Sequence, residues 1–136
     1  MSKPYFLDTS FIIAYAIATD NQHTKTEPLE DIILNKPCYI NNCILNECIT
    51  VSYNKTKSLE LSQEVYYILI DNFKILNENN IVNYNAKTMD LFKKHKGKLS
   101  FTDAGIITTM KENNISDLLT FDSQFKKENS INIIDK

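Results

Sequence analysis

Four acidic residues stand where they could act together on a ligand. Asp8 and Asp122 each follow a short apolar run. Asp103 lies in the first turn of a helical pattern, and Glu47 lies within another. Carboxylate oxygens without Cys or His ligands select hard divalent cations, of which Mg²⁺ and Mn²⁺ fit best. If the four side chains converge, their types therefore favour a site for one of these ions.

A parallel sheet between helices would bring these acids to one edge. Ligands in such a sheet bind beyond the carboxyl ends of the strands, where the strand order reverses. Apolar runs predict strands at 4–7, 38–40, 72–76, 118–121 and 131–134. Helical periodicity and capping residues predict helices at 9–18, 26–34, 42–51, 59–69, 84–96 and from 100 onward. Strands that alternate with helices predict an α/β domain with a parallel sheet.

Each acid also has a purely structural interpretation. Ser100 and Asp103 have the spacing of a capping box, and Asp8 and Asp122 could cap helices, a role worth about 1 kcal/mol each. Glu47 is expected beside the apolar side of its helix, where a charge is rarely buried without a partner. Like charges about 4 Å apart repel by roughly 4 kcal/mol at an effective dielectric constant of 20. A shared site would therefore need either bound protons or a cation.

Length and composition indicate one globular domain spanning residues 1–136. The chain is 43% hydrophobic and 24% charged, as in ordinary globular proteins. It contains no apolar run long enough for a membrane span and no export signal at its N-terminus. We therefore expect a cytoplasmic protein without a membrane partner.

The cysteines and histidines do not have metal-ligand spacing. Cys38, Cys43 and Cys48 form no C-x-x-C pair, and His23 and His95 are far apart. The three thiols are expected to be small buried side chains.

Lysine is the only strongly basic residue type, and the net charge is −2, so a global basic field for nucleic acid is absent. A local cluster of lysines just before Ser100 could grip RNA phosphates or could simply complement the end of a helix, and both interpretations stay open. The cluster consists of Lys93, Lys94, Lys96 and Lys98. Three aromatic residues, Phe11, Tyr15 and Phe101, could stack on bases but are more typical of a core.

The motifs carrying these acids together resemble the PIN domain. They are L-D-T-S at 7–10, L-N-E at 45–47, S-F-T-D-A at 100–104 and L-L-T-F-D-S-Q-F at 118–125. The similarity is closest to the PIN ribonucleases that act as toxins in VapBC toxin–antitoxin pairs. It implies a three-layer α/β/α sandwich with a central parallel sheet of four to five strands.

This resemblance implies a metal-dependent endoribonuclease that leaves a 5′-phosphate and a 3′-hydroxyl. The four acids named above fall on the family's four acidic positions, which implies that they bind Mg²⁺ or Mn²⁺. Gln124 stands where many relatives have a further acid, so the number of ions, one or two, stays open. The hydroxyl residues expected to support the site are Thr9, Ser10, Ser100 and Thr102. The implied partners are an RNA substrate, an antitoxin protein and a second copy of the chain.

Other functions fit less of the sequence. A stand-alone RNA-processing PIN nuclease, or a catalytically silent PIN module that binds RNA or assembles complexes, shares the fold. A receiver domain would carry its phosphoacceptor after the third strand, where Leu76 is followed by Asn77. A haloacid-dehalogenase-like phosphatase needs a second aspartate two residues after Asp8, and Ser10 stands there.

Overall fold

A computed structural model describes residues 2–136 of the chain. Within this range the protein has five short strands: β1 Tyr5–Leu7, β2 Cys38–Asn41, β3 Lys74–Leu76, β4 Asp117–Leu119 and β5 Asn132–Ile134. The α-helices are α1 Thr9–Ala16, α2 Glu30–Asn35, α3 Asn42–Thr56, α4 Leu59–Asn72, α5 Tyr84–Lys94 and α6 Phe101–Glu112. Three 3-10 helices span His23–Leu29, Glu78–Asn80 and Ser123–Lys127.

The strands form one parallel sheet in the order β3-β2-β1-β4-β5. The central strand β1 pairs with β2 on one side and with β4 on the other, and Leu7 lies opposite Leu119. The order of the strands reverses between β1 and β4, so the crevice expected for a ligand opens where these two strands end. The predicted α/β sandwich with a parallel sheet is confirmed.

The helices pack in two groups. Helix α3 packs against α4 and α1, whereas α5 packs against α6. Between them lies one core, and burying a large apolar side chain there stabilises the fold by about 1.5–3 kcal/mol. The largest completely buried apolar side chains include Phe6, Leu7, Phe11, Ile40, Ile44, Leu69, Leu99, Ile107 and Phe125.

Helix α6 is buried on nearly every side. All residues from Ala104 to Met110 are buried. Thr108 and Thr109 tolerate this burial because their hydroxyls donate to the carbonyls of Ala104 and Gly105. Helix α6, which carries Asp103 in its first turn, is therefore held in place by packing on nearly every side.

The apolar residues of α1 belong to the core. Phe11, Ile12 and Ile17 are at most 3% exposed, so these side chains leave almost no uncovered apolar surface. No helix between residues 2 and 136 has the length and apolarity needed to cross a membrane.

Local chemistry shifts several predicted boundaries. The helix expected at 26–34 is a 3-10 helix that contains Pro28, followed by the short α2. The helix expected at 84–96 ends at Lys94 because Lys96 and Gly97 adopt positive φ angles of 55° and 72°. Left-handed backbone of this kind ends helices.

Candidate active site

Asp8 lies at the carboxyl end of β1 and is the N-cap of α1. Its Oδ1 accepts hydrogen bonds from Ser10 Oγ at 2.8 Å and from the backbone N–H of Phe11 at 3.2 Å. Its Oδ2 accepts from Thr120 Oγ1 at 2.8 Å. The side chain is rigidly oriented, and since a carboxylate can accept about four bonds, it keeps capacity for a ligand.

Two hydroxyls connect Asp8 to the segment that carries Asp122. The N–H of Asp122 donates to Thr120 Oγ1 at 2.9 Å, and the N–H of Phe121 donates to Ser10 Oγ at 3.1 Å. Asp122 itself caps the 3-10 helix that follows, accepting from the N–H of Gln124 at 2.9 Å. The structure therefore brings the residues that follow β1 and β4 together at the point where the strand order reverses.

The environment of Asp8 opposes its negative charge. Although Asp8 is only 5% exposed, it has no cationic partner among its hydrogen-bond donors. Burial raises the pKa of Asp8 from 3.8 to about 6, and the charge of Asp122 adds to the rise. The hydrogen bonds from Ser10, Thr120 and Phe11 lower the pKa but do not cancel this effect. A positive charge at this position would stabilise the carboxylate.

Asp103 lies at the start of α6. Ser100 is the N-cap of this helix and accepts a hydrogen bond from the N–H of Asp103 at 3.0 Å, but within residues 2–136 no bond returns from the N–H of Ser100. The carboxylate of Asp103 therefore does not complete a capping box. Burial, the negative charge of Asp122 and, more weakly, that of Glu47 raise the pKa of Asp103 to about 6, whereas a hydrogen bond with the Ser100 hydroxyl lowers it. These three acids therefore act on one another electrostatically.

Glu47 lies on α3 beside the buried residues of that helix, but its side chain is exposed and not buried among them. The buried side chains of α3 are Ile44, Cys48 and Ser52. Exposure removes the desolvation penalty that a buried glutamate would carry. Its negative charge nevertheless contributes to the raised pKa of Asp103.

The supporting hydroxyls have different roles. Ser10 orients Asp8, and Ser100 caps α6. Burial raises the pKa of the Cys43 thiol, whereas the nearby Thr102 lowers it; this thiol is half-buried near Glu47 and Asp103. Within residues 2–136, the Thr9 hydroxyl is the one buried side-chain oxygen without a regular hydrogen-bond partner. Its neighbour is the thiol of Cys48, a weakly hydrogen-bonding group.

The oxygen ligands of these acids suit a divalent cation, although their carboxylates do not form a close cluster. Across residues 2–136, no three His, Cys, Asp or Glu side chains are already close enough to form a ligand set. The donors available are carboxylate and hydroxyl oxygens, which suit hard ions. Burial, together with the negative charge of Asp122, raises the pKa values of Asp8 and Asp103, and the buried Thr9 hydroxyl lacks a regular hydrogen-bond partner. An ion held partly through water would relieve both conditions.

All four lysines of the cluster are exposed, and one of them forms an ion pair. Lys93, Lys96 and Lys98 are exposed around the loop that leads to Ser100. Lys94 instead pairs with the buried Glu128 at 3.1 Å.

Three residues of structural importance were not identified from the sequence. Thr120 directly follows the buried strand β4. Nothing in the sequence marked it as important except its position before Asp122. Glu78 accepts hydrogen bonds from the first two N–H groups of α3. Glu128 binds Lys94, His95 and Lys111. Each acts through contacts distant in sequence, which periodicity does not detect.

Comparison with known families assigns the fold. Residues 5–129 match the model of the PIN domain, so the chain belongs to the PIN domain family. A search of curated proteins found no match.

Solved structures with the same fold include a toxin and a toxin–antitoxin complex. The chain resembles the VapC20 toxin of Mycobacterium tuberculosis, which cleaves the sarcin-ricin loop: the TM-score is 0.76 and the identity 20%, covering 90% of this chain and 93% of that one. It also resembles the VapBC2 complex of Rickettsia felis bound to a promoter DNA fragment, with a TM-score of 0.73, 18% identity and coverage of 96% and 97%. For VapBC-1 of nontypeable Haemophilus influenzae the TM-score is 0.70, with 19% identity and 97% coverage of both chains. At these identities the similarity concerns the fold.

Proposed function

We propose that this PIN domain is a divalent-metal-dependent endoribonuclease that hydrolyses RNA phosphodiester bonds. The observation that carries the proposal is the junction of β1 and β4. There Thr120 binds both the carboxylate of Asp8 and the N–H of Asp122. The charge of Asp122 in turn raises the pKa of Asp103. An acidic crevice without a cationic partner at the switch point of a parallel sheet is suited to a metal ion.

The four acids would hold one or two Mg²⁺ or Mn²⁺ ions, directly or through water. Asp8 is oriented by three hydrogen bonds, and Asp103 projects from a fixed helix. Glu47 and Asp122 would complete the negative charge around the ion. When bound, the ion supplies Lewis acidity at the scissile phosphate and activates water.

The protein's own residues would prepare this chemistry. Ser10 and Thr120 keep Asp8 in one orientation and favour its ionised form. Because the pKa values of Asp8 and Asp103 are about 6, both are mostly ionised at pH 7 and become protonated below it. Water replaces the 3′ oxygen at phosphorus, which leaves a 5′-phosphate on one product and a 3′-hydroxyl on the other.

Substrate RNA would be bound by surfaces beside the acids. A cavity of about 320 Å³ lies next to Thr9 and Ser10, with Gln22 and Lys55 also in its wall, and offers room for a nucleotide. Lys93, Lys96 and Lys98 would contact phosphates, whereas Lys94 has Glu128 as a partner. Such contacts position a backbone without reading its bases.

We also propose that the chain is the toxin of a type II toxin–antitoxin pair. The similarity to VapBC structures supports this role. An antitoxin or a second copy of the chain would find exposed apolar side chains on α4, namely Leu59, Tyr66, Tyr67 and Ile70. The protein would then act on RNA in the cytoplasm.

Incubation of metal-stripped protein with a structured RNA, before and after addition of Mn²⁺, tests the nuclease. We expect cleavage only with the ion, 5′-phosphate ends on the products, and a loss of at least 100-fold in Asp8→Asn and Asp103→Asn. Asp71→Asn on the exposed surface of α4 is the matched control and should cleave normally. Cleavage that persists in Asp8→Asn would contradict the proposal.

Induced expression of the chain in a bacterial host separates the toxin from a stand-alone RNA-processing enzyme. A toxin should arrest growth, and Asp8→Asn should abolish the arrest. Unimpaired growth with active enzyme would favour the RNA-processing role.

A further inference from the structure

The first turn of α3 is fastened by a residue from another part of the chain. The carboxylate of Glu78 accepts hydrogen bonds from the N–H of Asn42 at 2.9 Å and from the N–H of Cys43 at 3.0 Å. The side-chain oxygen of Asn41 accepts from the N–H of Ile44 at 2.9 Å. Three N–H groups that a helix start leaves unpaired are thus satisfied, two of them by a negative charge that the helix dipole favours.

The same cap joins α3 to α6. Asn41 Nδ2 donates to Thr109 Oγ1 at 3.1 Å, and both residues are completely buried. Thr109 Oγ1 in turn donates to the carbonyl of Gly105 at 2.9 Å, two residues after Asp103. A buried network of polar groups that are all hydrogen-bonded holds those groups rigidly in one arrangement. It therefore relates the start of α3 to the part of α6 that carries an acid.

Glu47 depends on this orientation more than Asp8 does. Its carboxylate makes no hydrogen bond or ion pair within residues 2–136, in contrast to Asp8. It lies one turn after Cys43, on the same side of α3. Its direction toward Asp103 is consequently set by the helix that carries it rather than by contacts of its own.

We propose that Glu78 and Asn41 are positioning residues that hold Glu47 toward Asp103 and thereby set the affinity of the acidic site for a divalent cation. This inference rests on the proposed function. Glu78 is not assigned as a ligand, because each of its oxygens binds an N–H group of α3. Its effect on the ion is transmitted by α3.

Isothermal titration of the full, metal-stripped chain with Mn²⁺ tests the inference. In Glu78→Gln the amide has one acceptor oxygen for two N–H groups and no charge, so we expect the Mn²⁺ dissociation constant to rise about 10-fold, as for other residues that orient metal ligands. Glu60→Gln is the matched control, because Glu60 lies exposed in the first turn of α4. That variant should bind Mn²⁺ like the wild type.

A double variant distinguishes positioning from a general loss of stability. If Glu78 acts through Glu47, then Glu78→Gln should weaken Mn²⁺ binding little further in a chain that already carries Glu47→Gln. Thr109→Val, which removes the acceptor of the Asn41 amide, should also weaken binding, whereas Thr109→Ser should preserve it. If Glu78→Gln does not fold, the comparison of Thr109→Val with Thr109→Ser tests the same inference.

The outcomes are separable from those of the proposed function. Unchanged Mn²⁺ affinity in Glu78→Gln and Thr109→Val, or an equal loss with and without Glu47→Gln, would overturn the positioning role while leaving the nuclease intact. A wild-type chain that neither binds Mn²⁺ nor cleaves RNA would overturn both.

Discussion

Thr120 donates its hydroxyl proton to Asp8 Oδ2 at 2.8 Å while the same oxygen accepts the N–H of Asp122 at 2.9 Å. One buried side chain thus connects an acid at the end of β1 with the backbone that presents a second acid after β4. This relationship makes the geometry of the site sensitive to a residue that carries no charge.

Replacement of Thr120 by Val should therefore impair the site without removing an acid. Asp8 loses a donor that favours its ionised form, so its pKa should rise above about 6, and the acidic limb of the cleavage pH profile should move to higher pH. The unpaired N–H and carboxylate should cost about 1–3 kcal/mol of folding free energy. Thr120→Ser retains the hydroxyl and should stay close to the wild type. An unchanged pH profile in Thr120→Val would refute this role.

The raised pKa of Asp8 predicts how the stability of the metal-free protein varies with pH. The folded state binds more protons than the unfolded state between pH 3.8 and about 6, so this group's contribution falls as pH rises through that window. Relative to Asp8→Asn, the wild type should gain roughly 2 kcal/mol of unfolding free energy between pH 7 and pH 4. Urea unfolding in a chelator at both pH values measures this difference. A difference that does not change with pH would contradict the assigned burial effect.

Gly105 is needed because Tyr84 lies against it. A Cβ atom at position 105 would stand 2.2 Å from the Tyr84 hydroxyl and 3.3 Å from its ring carbon Cζ. Gly105→Ala should therefore destabilise the protein by about 1–3 kcal/mol, despite the better helix propensity of alanine. Adding Tyr84→Phe removes the nearer atom and should recover part of the loss, as thermal unfolding of the single and double variants would reveal. Additive losses would mean that the two side chains do not collide.

Glu128 fixes the segment before β5 to the neighbouring helices. It is 2% exposed, and Lys94, His95 and Lys111 surround it. Burial alone would raise the pKa of Glu128, but hydrogen bonds from Ser130, His95 and Lys94 outweigh it and hold the pKa well below its usual range.

Glu128→Gln should destabilise the protein by about 1–3 kcal/mol at pH 7. Because the carboxylate's contribution is present above its unfolded pKa of 4.5 and is lost as pH falls below that value, the deficit should shrink in acid. Urea unfolding at pH 7 and pH 3.5 measures it, with the exposed Glu64→Gln as control. A deficit that is constant or larger at pH 3.5 would contradict the ion-pair account.

The sequence predicted the parts of the fold that depend on local patterns. Apolar runs before Asp8 and Asp122 identified β1 and β4, and their parallel pairing followed from the helices between strands. The cap at Ser100 was also predicted, since it is a short polar residue before a helical pattern.

Features created by long-range packing were not predictable in this way. The exposure of Glu47 depends on how α3 lies against α1 and α4, and Thr120 gains its role only when β1 and β4 pair. A 3-10 helix that contains Pro28 replaced the first part of a predicted α-helix.

The thermal response to Mn²⁺ tests most directly whether these acids share a cation. Melting of the metal-stripped protein should shift upward with Mn²⁺ by mass action. Metal-free Asp103→Asn should melt above the metal-free wild type, because repulsion is removed, and should gain less from the ion. A wild-type melting temperature that Mn²⁺ leaves unchanged, or an Asp103→Asn variant that melts lower without metal and responds equally to it, would contradict a shared divalent-cation site.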